Sequence, residues 1–312
     1  MTRRPLVAVE PDCWRRDNLA EAVRAGGGAV VHAAEAEGLI WADPQKPGGL
    51  GAVLEAAPRL RWIQLPYAGI EPYLEFLDDE RIWTCGKGTY AEPVAEMALG
   101  MLLAGMRGFT TYLPARRWLA PEGRNLRGAA VTILGGGGIA VELLKLLAPF
   151  DCEVTVLRRH PEPLPDAPSA RVVGPPALGE ALGGADAVVV ALALTAETRG
   201  IIDAAALATM PEHCWLVNVA RGEHVVTDDL VGALSSGTIA GAALDVTDPE
   251  PLPDGHALWD LPNCLITPHV GNTPEMGLLL LNRRVTENVR RFAAGEPLHR
   301  PVHTALRNRA PA

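Results

Sequence analysis

The chain has 312 residues, carries a formal net charge of −9 and is 48% hydrophobic. The negative charge argues against nucleic acids and anionic membrane surfaces as partners, and no apolar run approaches the length of a membrane span. The length and the ample apolar content therefore predict a globular protein of two domains.

From Leu6 to Cys85, short β-rich runs alternate with stretches of helical periodicity. The predicted strands are Leu6–Val9, Ala29–His32, Leu39–Trp41, Arg61–Leu65 and Ile82–Cys85, and the predicted helices are Asn18–Ala25, Leu50–Ala57 and Pro72–Leu77. Because strands that alternate with helices pair in parallel and are covered on both faces, this pattern predicts a doubly wound parallel sheet.

A long helix is predicted from Glu92 to about Leu113, with Pro93 in its first turn and apolar residues at helical spacing. A second set of strands follows: Val131–Leu134, Glu153–Leu157, Arg171–Val173, Ala187–Leu194, Trp215–Val219, Ile239–Leu244 and Leu265–Ile266. The proline-rich stretch Thr247–Pro262 is predicted to be a loop. A last helix, from Pro274 to about Ala294, is long enough to return to the first domain.

A glycine cluster separates the predicted strand Val131–Leu134 from a helical segment. The spacing Gly135-x-Gly137-x-x-Ala140 matches the dinucleotide-binding fingerprint, in which the backbone of Gly137, Gly138 and Ile139 approaches a pyrophosphate at the start of a helix. A plain strand-to-helix connection is the alternative, and methyltransferases and flavoproteins use similar turns.

The strand-turn-helix-strand context predicts an α/β fold of two doubly wound parallel-sheet domains, with a Rossmann cofactor domain inserted into a flavodoxin-like substrate domain. The predicted boundaries assign residues 1–95 and 284–312 to the substrate domain and residues 96–283 to the Rossmann domain.

Two arginines, Arg158 and Arg159, follow the second strand of the cofactor domain. An NAD site places an acidic side chain there to accept hydrogen bonds from the ribose 2′-hydroxyl, which guanidinium groups cannot do. A guanidinium fork instead suits a 2′-phosphate. The pair therefore favours NADP(H) over NAD(H), and a solvated basic pair at a strand end is the alternative.

One cation, one carboxylate and one imidazole lie in segments near the carboxyl ends of later strands: Arg221, Glu250 and His269. Reduction of a 2-oxo acid needs a cation that grips the carboxylate, an acid that protonates the carbonyl oxygen, and a carboxylate that orients this acid. Each residue has an ordinary alternative: a surface ion-pair partner, a solvated loop residue, and a core or helix-capping histidine.

The motifs around these residues carry a family resemblance. The turn at Gly135 is followed in order by Asn-Val-Ala-Arg-Gly at Asn218–Gly222, Ala-Leu-Asp-Val at Ala243–Val246, Glu-Pro-Leu-Pro at Glu250–Pro253 and Thr-Pro-His-Val-Gly at Thr267–Gly271. From Arg127 to Glu275 the chain resembles the cofactor domain of the D-isomer-specific 2-hydroxyacid dehydrogenases, which include glyoxylate/hydroxypyruvate reductases.

This resemblance implies roles for individual residues. Arg221 would hold the substrate carboxylate and carbonyl, His269 would be the acid/base, and Glu250 would pair with it. Cofactor contacts would come from the residues Gly135, Gly137, Gly138, Ile139, Arg158, Arg159, Leu192, Ala220, Asp245 and Gly271. The backbone of Ala68, Gly69 and Ile70 would meet the substrate carboxylate, no metal would be needed, and the assembly would be a homodimer.

The chain departs from the family pattern at several positions. Arg158 replaces the usual acid, Ala140 replaces the third glycine, and Ala193 stands where a proline is frequent. In the loop after the fifth predicted strand, Lys87 could reach an anionic group of the substrate, and a solvent-facing lysine is the alternative.

The five cysteines are scattered along the chain without CxxC spacing. Reduced thiols in a cytoplasmic protein are therefore expected, and a thiol catalyst at Cys85 lacks a supporting local motif. Two functional alternatives stay open: a nucleotide-sensing binding protein of the same fold, and a dehydrogenase of another small anion such as formate or phosphite.

Overall fold

The computed structural model describes residues 3–67, 69–164 and 169–302. The chain forms two compact units, one from Met1–Tyr90 and Thr273–Ala312 and the other from Ala91–Asn272. Each unit is built on its own parallel sheet, which confirms the predicted α/β fold with two parallel-sheet domains. Within the described ranges, no helix combines the length and the apolar content needed to cross a membrane.

The first unit holds a five-stranded sheet of order β2-β1-β3-β4-β5, in which every pairing is parallel. This is the strand order of flavodoxin-like folds. Its elements up to the second unit are β1 (Leu6–Glu10), α1 (Arg16–Ala25), β2 (Ala29–Val30), β3 (Gly38–Trp41), α2 (Leu50–Ala56), β4 (Trp62–Gln64) and β5 (Ile82–Thr84).

Successive residues of each strand pack into two separate apolar layers, because side chains point alternately to the two faces of the sheet. Val7 and Val9 of β1 face α1 with Ile40 and Trp62, whereas Ala8 lies on the opposite side among residues of α2. The strands are therefore buried on both faces, as the continuous apolar runs in the sequence predicted.

The second unit holds a seven-stranded parallel sheet of order β12-β11-β10-β9-β6-β7-β8. Its elements are α3 (Ala91–Met106), α4 (Phe109–Tyr112), β6 (Ala130–Leu134), α5 (Gly138–Leu147), β7 (Glu153–Leu157), β8 (Arg171–Val173), α6 (Leu178–Gly183), β9 (Ala187–Val190), α7 (Ala204–Thr209), β10 (Trp215–Asn218), α8 (Thr227–Ser236), β11 (Gly241–Leu244), α9 (Ala257–Asp260) and β12 (Cys264–Ile266). Leu134 at the end of β6 pairs with Leu157 on one side and Val190 on the other, so the strand order reverses at β6.

One helix layer of this unit contains α3 and α5, and the other contains α6, α7 and α8. The indole of Trp215, at the start of β10, lies between two glycines of neighbouring elements. A Cβ atom at Gly105 of α3 would lie 2.4 Å from this ring, and one at Gly241 of β11 would also lie 2.4 Å from it. Both positions therefore require glycine while the indole is present.

The last helix, α10 (Pro274–Ala294), belongs to the first unit and packs against α1. Thr273 caps it by accepting a hydrogen bond from the Met276 N–H. Asn288, fully buried in α10, donates to Gln64 Oε1 at 2.8 Å and so joins the helix to β4.

Some predicted elements were wrong in extent. The helix predicted to continue to Leu113 breaks after Met106, because Gly108 adopts a left-handed conformation (φ 68°) and a separate short helix follows. The predicted helix Pro72–Leu77 is a 3₁₀ helix over Glu71–Phe76. The predicted strand Ala187–Leu194 ends at Val190, and α9 interrupts the predicted loop Thr247–Pro262.

Candidate active site

Three neighbouring strands of the second sheet end near the predicted catalytic residues. Arg221 comes shortly after β10, Glu250 lies in the segment after β11, and His269 follows β12. These strands are adjacent and parallel, so their carboxyl ends share one edge of the sheet. Open α/β sheets bind their ligands at that edge.

His269 and Glu250 form a direct hydrogen bond. Nδ1 of the imidazole lies 2.7 Å from Oε1 of the carboxylate, and the two side chains keep 49% and 42% of their surface exposed. An ionised carboxylate only accepts hydrogen bonds, so Nδ1 carries a proton in this pair. The other ring nitrogen, Nε2, makes no hydrogen bond within the described ranges and can exchange a proton with a ligand.

The backbone of His269 adopts a left-handed conformation with φ of 53°. Such a conformation is uncommon outside glycine and costs about 1–3 kcal/mol. The N–H of His269 donates to the carbonyl oxygens of Asp245 at 2.8 Å and Thr267 at 3.0 Å, which hold it in place. The direction of the imidazole is therefore set by the backbone as well as by Glu250.

Asp245 anchors the segment that carries His269. Its buried carboxylate accepts the N–H groups of Val270 at 2.9 Å and Gly271 at 2.8 Å and the hydroxyl of Thr267 at 2.6 Å. A Cβ atom at Gly271 would lie 2.9 Å from Asp245 Oδ2, so glycine permits this close approach. In the structure Asp245 thus binds the histidine turn, whereas its expected contact with the cofactor stays a prediction.

Arg221 is exposed, and its backbone is held by two fully buried side chains. Its carbonyl oxygen accepts from Asn218 Nδ2 at 2.9 Å and contacts His224 Nδ1 at 3.0 Å. Its guanidinium donates to the Ala220 carbonyl oxygen at 2.7 Å. Across the described ranges Arg221 forms no ion pair, and neither His269 nor Glu250 is among its hydrogen-bond partners, so its charge is available to an anionic ligand.

The glycine turn has the geometry that a pyrophosphate requires. Gly135 has φ of 115°, and a Cβ atom there would lie 2.4 Å from the Ala191 carbonyl oxygen. Gly137 and Gly138 are exposed, and a Cβ atom at Gly137 would meet no atom within 4 Å. Because α5 begins at Gly138, the N–H groups of its first turn, including that of half-buried Ile139, lack intrahelical acceptors and can bind an anion.

Arg158 and Arg159 have different surroundings. The aliphatic part of Arg158 lies against the glycine turn, since a Cβ atom at Gly136 would be 2.9 Å from Arg158 Cδ. Within the described ranges its guanidinium makes one hydrogen bond, a long one of 3.5 Å to the Glu162 carbonyl oxygen. Arg159 instead pairs with Glu197 at 3.4 Å on the surface. Arg158 is therefore the better placed of the two to reach a ligand at the turn.

Two further predicted cofactor residues lie at the same sheet edge. Leu192 is half-buried just after β9. Ala220 is buried after β10, and its N–H donates to Asn218 Oδ1 at 3.1 Å.

The predicted substrate loop belongs to the first unit. Gly69 and Ile70 follow β4 and are partly exposed, and the Ile70 carbonyl oxygen accepts the Tyr73 N–H at 2.8 Å. Ala68 lies outside the described residues.

Cys85 is buried at the end of β5, and burial raises the pKa of its thiol. A raised pKa disfavours the thiolate that a nucleophilic cysteine needs. The structure therefore gives no support to a catalytic role for this thiol.

Comparison with known proteins identifies the family. The family described as D-isomer specific 2-hydroxyacid dehydrogenase, NAD binding domain, matches residues 97–271. The chain belongs to this family. It is an NAD(P)-dependent oxidoreductase that transfers a hydride between a nicotinamide cofactor and C2 of a small 2-oxo or 2-hydroxy acid, and the predicted resemblance is confirmed.

Individual proteins and a solved structure are similar to the chain. An uncharacterized protein from the proB 3′ region of Corynebacterium melassecola is 38% identical over 247 residues, which is 77% of this chain and 81% of that protein. The glyoxylate/hydroxypyruvate reductase A of Klebsiella pneumoniae strain 342 is 35% identical over 65% of each chain. A D-isomer specific 2-hydroxyacid dehydrogenase from Xanthobacter autotrophicus Py2, solved in complex with NADPH and MES, is 28% identical, with a TM-score of 0.80 over 97% of this chain and 99% of that chain.

The dehydrogenase site includes residues that sequence reasoning did not single out. Asn218 and His224 hold the backbone of Arg221, and Thr267 binds Asp245. Asn218 and Thr267 each open one of the motifs quoted above, which was a usable signal. His224 gave none, because a single histidine between a glutamate and two valines shows no recognisable pattern until its partner is known.

Proposed function

We propose that the chain is an NADPH-dependent reductase of small 2-oxo acids of the size of glyoxylate and hydroxypyruvate. The observation that carries this proposal is the 2.7 Å contact between His269 and Glu250. It supplies an oriented acid/base, and Arg221, in the same unit, has no acidic partner within the described residues.

His269 is the proton donor in the reductive direction. It delivers the proton of Nε2 to the substrate carbonyl oxygen while Nδ1–H stays bonded to Glu250. Glu250 stabilises the protonated ring and fixes its orientation. Arg221 binds the substrate carboxylate and polarises the carbonyl group. A nicotinamide cofactor held at the glycine turn would supply the hydride for C2.

The glycine turn and Arg158 would hold the cofactor. The exposed N–H groups at Gly137 and Gly138 suit the pyrophosphate, and the guanidinium of Arg158 suits a 2′-phosphate. The NADPH complex of the Xanthobacter relative supports this assignment. We also propose, from the family resemblance, that the backbone of Gly69 and Ile70 binds the substrate carboxylate and that the protein is a homodimer. The scattered cysteines favour a cytoplasmic location.

The test is NADPH oxidation with glyoxylate and hydroxypyruvate by the wild type and by His269→Gln. Loss of a general acid/base lowers kcat by about 10²- to 10⁴-fold, and we expect the dissociation constant of NADPH to stay unchanged. His32→Gln, an exposed histidine of the first unit, is the matched control. Equal loss of turnover and of cofactor binding in His269→Gln would show that this residue supports the fold rather than the chemistry.

A further inference from the structure

A buried guanidinium lies at the carboxyl edge of the first sheet. Arg15 follows β1 and is only 5% exposed. Its Nη2 donates to the Tyr67 hydroxyl at 2.8 Å, whereas its buried Nε has no hydrogen-bond partner. No carboxylate forms an ion pair with Arg15 anywhere in the part of the chain that the structure describes. Among the described residues, the neutral hydroxyl of Tyr67 is therefore the one hydrogen-bond partner of the charged Arg15 side chain.

Burial of an unpaired charge is costly unless other groups stabilise it. Two aromatic rings do so in part, since the guanidinium carbon of Arg15 lies 5.1 Å from the centroid of Trp14 and 5.3 Å from that of Tyr67. These ring contacts use the face of the guanidinium, and only the Nη2 donor of its in-plane N–H edge has a hydrogen-bond partner within the described residues. That edge is the part of arginine that binds carboxylates and phosphates with two parallel hydrogen bonds.

The surroundings of Tyr67 bring together the ends of three parallel strands. The rings of Tyr67 and Tyr90 meet edge to face at 5.7 Å, and the Tyr90 hydroxyl donates to the Pro66 carbonyl oxygen at 2.5 Å. Loops after β1, β4 and β5 therefore converge on Arg15. This is the edge at which an open parallel sheet binds its ligand.

A second cation approaches the same cluster. Arg284 of α10 donates to the Lys87 carbonyl oxygen at 3.4 Å and to that of Cys85 at 3.5 Å, and it has no ion pair within the described ranges. Burial raises the pKa of Tyr90, and the positive charges of Arg15 and Arg284 oppose that rise. Both cations therefore act on one hydroxyl.

We propose that Arg15 is the centre of a subsite for a second anionic group on the substrate, so that the chain prefers 2-oxo acids with a carboxylate or phosphate remote from C1. The inference rests on the proposed function, in which Gly69 and Ile70, next to Tyr67 in the chain, bind the C1 carboxylate. It assigns a substrate class to that site. The positive charge of Arg284 attracts the same anionic group without contacting it.

The experiment compares kcat/KM of the wild type for glyoxylate and hydroxypyruvate with values for oxaloacetate, 2-oxoglutarate and 3-phosphohydroxypyruvate. We expect the best dianionic substrate to exceed both monoanionic ones by at least roughly tenfold, and the carboxylate and phosphate arms identify the group bound. Arg15→Gln should lower kcat/KM for that substrate roughly 100-fold, through KM, and change the monoanionic values less than about threefold.

Arg16→Gln is the matched control. Arg16 is the next residue in the sequence, is partly exposed, and within the described ranges pairs with the acidic residues Glu10 and Asp12. A wild type that favours monoanions overturns the subsite, whatever the variants do. An equal loss for both substrate classes in Arg15→Gln also overturns it and assigns Arg15 a structural role. Partial rescue by Arg15→Lys, which keeps the charge, supports the proposal.

Failure of the proposed function has a different signature. If no 2-oxo acid is turned over with either cofactor, the reductase assignment fails, and the subsite is then tested by binding alone. A rise in the thermal midpoint with 2-oxoglutarate in the wild type, absent with glyoxylate and absent in Arg15→Gln, supports the subsite. No rise in the wild type overturns it.

Discussion

Replacing Glu250 with glutamine keeps the size of the side chain and removes the charge that faces His269. A hydrogen bond to a charged group contributes about 1.5–3 kcal/mol. Both side chains are more than a third exposed, at 49% and 42%, so solvent screening favours the lower end of this range. A loss of about 1.5 kcal/mol in the transition state corresponds to a fall in kcat of roughly tenfold.

The assay is steady-state oxidation of NADPH with glyoxylate, together with a direct titration of NADPH binding. We expect kcat of Glu250→Gln to fall while the cofactor dissociation constant is unchanged, because among the described residues His269 is the one hydrogen-bond partner of the Glu250 carboxylate. Glu180→Gln, which breaks a surface pair with Arg171, should match the wild type. Full kcat in Glu250→Gln, or a loss of NADPH binding as large as the loss of kcat, would show that Glu250 does not act through the imidazole.

Three further predictions concern other parts of the second unit. Arg158→Asp should lower the ratio of kcat/KM for NADPH over NADH at least roughly tenfold, by loss of a charge-assisted hydrogen bond of about 1.5 kcal/mol. Gly222→Ala would place a Cβ atom 2.0 Å from the Thr247 carbonyl carbon, so urea unfolding should show a loss of about 3 kcal/mol or more. Burial alone would raise the pKa of Asp186, but the Ala130 N–H, His213 and Arg124 outweigh this and hold it below 3.8. The stabilisation by Asp186 is therefore present above this pH and lost as the pH falls through the folded-state pKa, so the difference in urea midpoint between wild type and Asp186→Asn should narrow on acidification.

Each of these predictions has an outcome that contradicts it. An unchanged cofactor ratio in Arg158→Asp would leave Arg158 as a solvated surface residue. A Gly222→Ala protein of normal stability would mean that the chain near Thr247 can move aside at little cost. A difference between wild type and Asp186→Asn that persists unchanged at about pH 3 would exclude the charge of Asp186 as its cause.

Features governed by local chain geometry could be predicted from the sequence. The positive φ of Gly135 and the start of α5 follow from the glycine spacing. The parallel sheets follow from the alternation of apolar strands and helices. The proximity of Glu250 to His269 was implied by the family motifs and is visible in the fold as the adjacency of β11 and β12.

Features that depend on contacts distant in the sequence could not be predicted. The residues before and after Gly108 are similar in composition, so the helical pattern of the sequence continues past the point where the helix breaks. Arg15 stands in a charged stretch that resembles solvent-exposed surface, and its burial arises from Tyr67, far along the chain. The role of Asp245 as an anchor of the histidine turn depends on the register of β11 against β12.

The indole of Trp215 is enclosed by Gly105 of α3 and Gly241 of β11. The residues allowed at each of these three positions therefore depend on the other two. Neither glycine can acquire a methyl group while the large ring remains, and a smaller residue at position 215 leaves a void that such methyl groups would fill. Substitutions here should therefore be accepted in combination and rejected singly, so that relatives of this chain change at all three sites or at none.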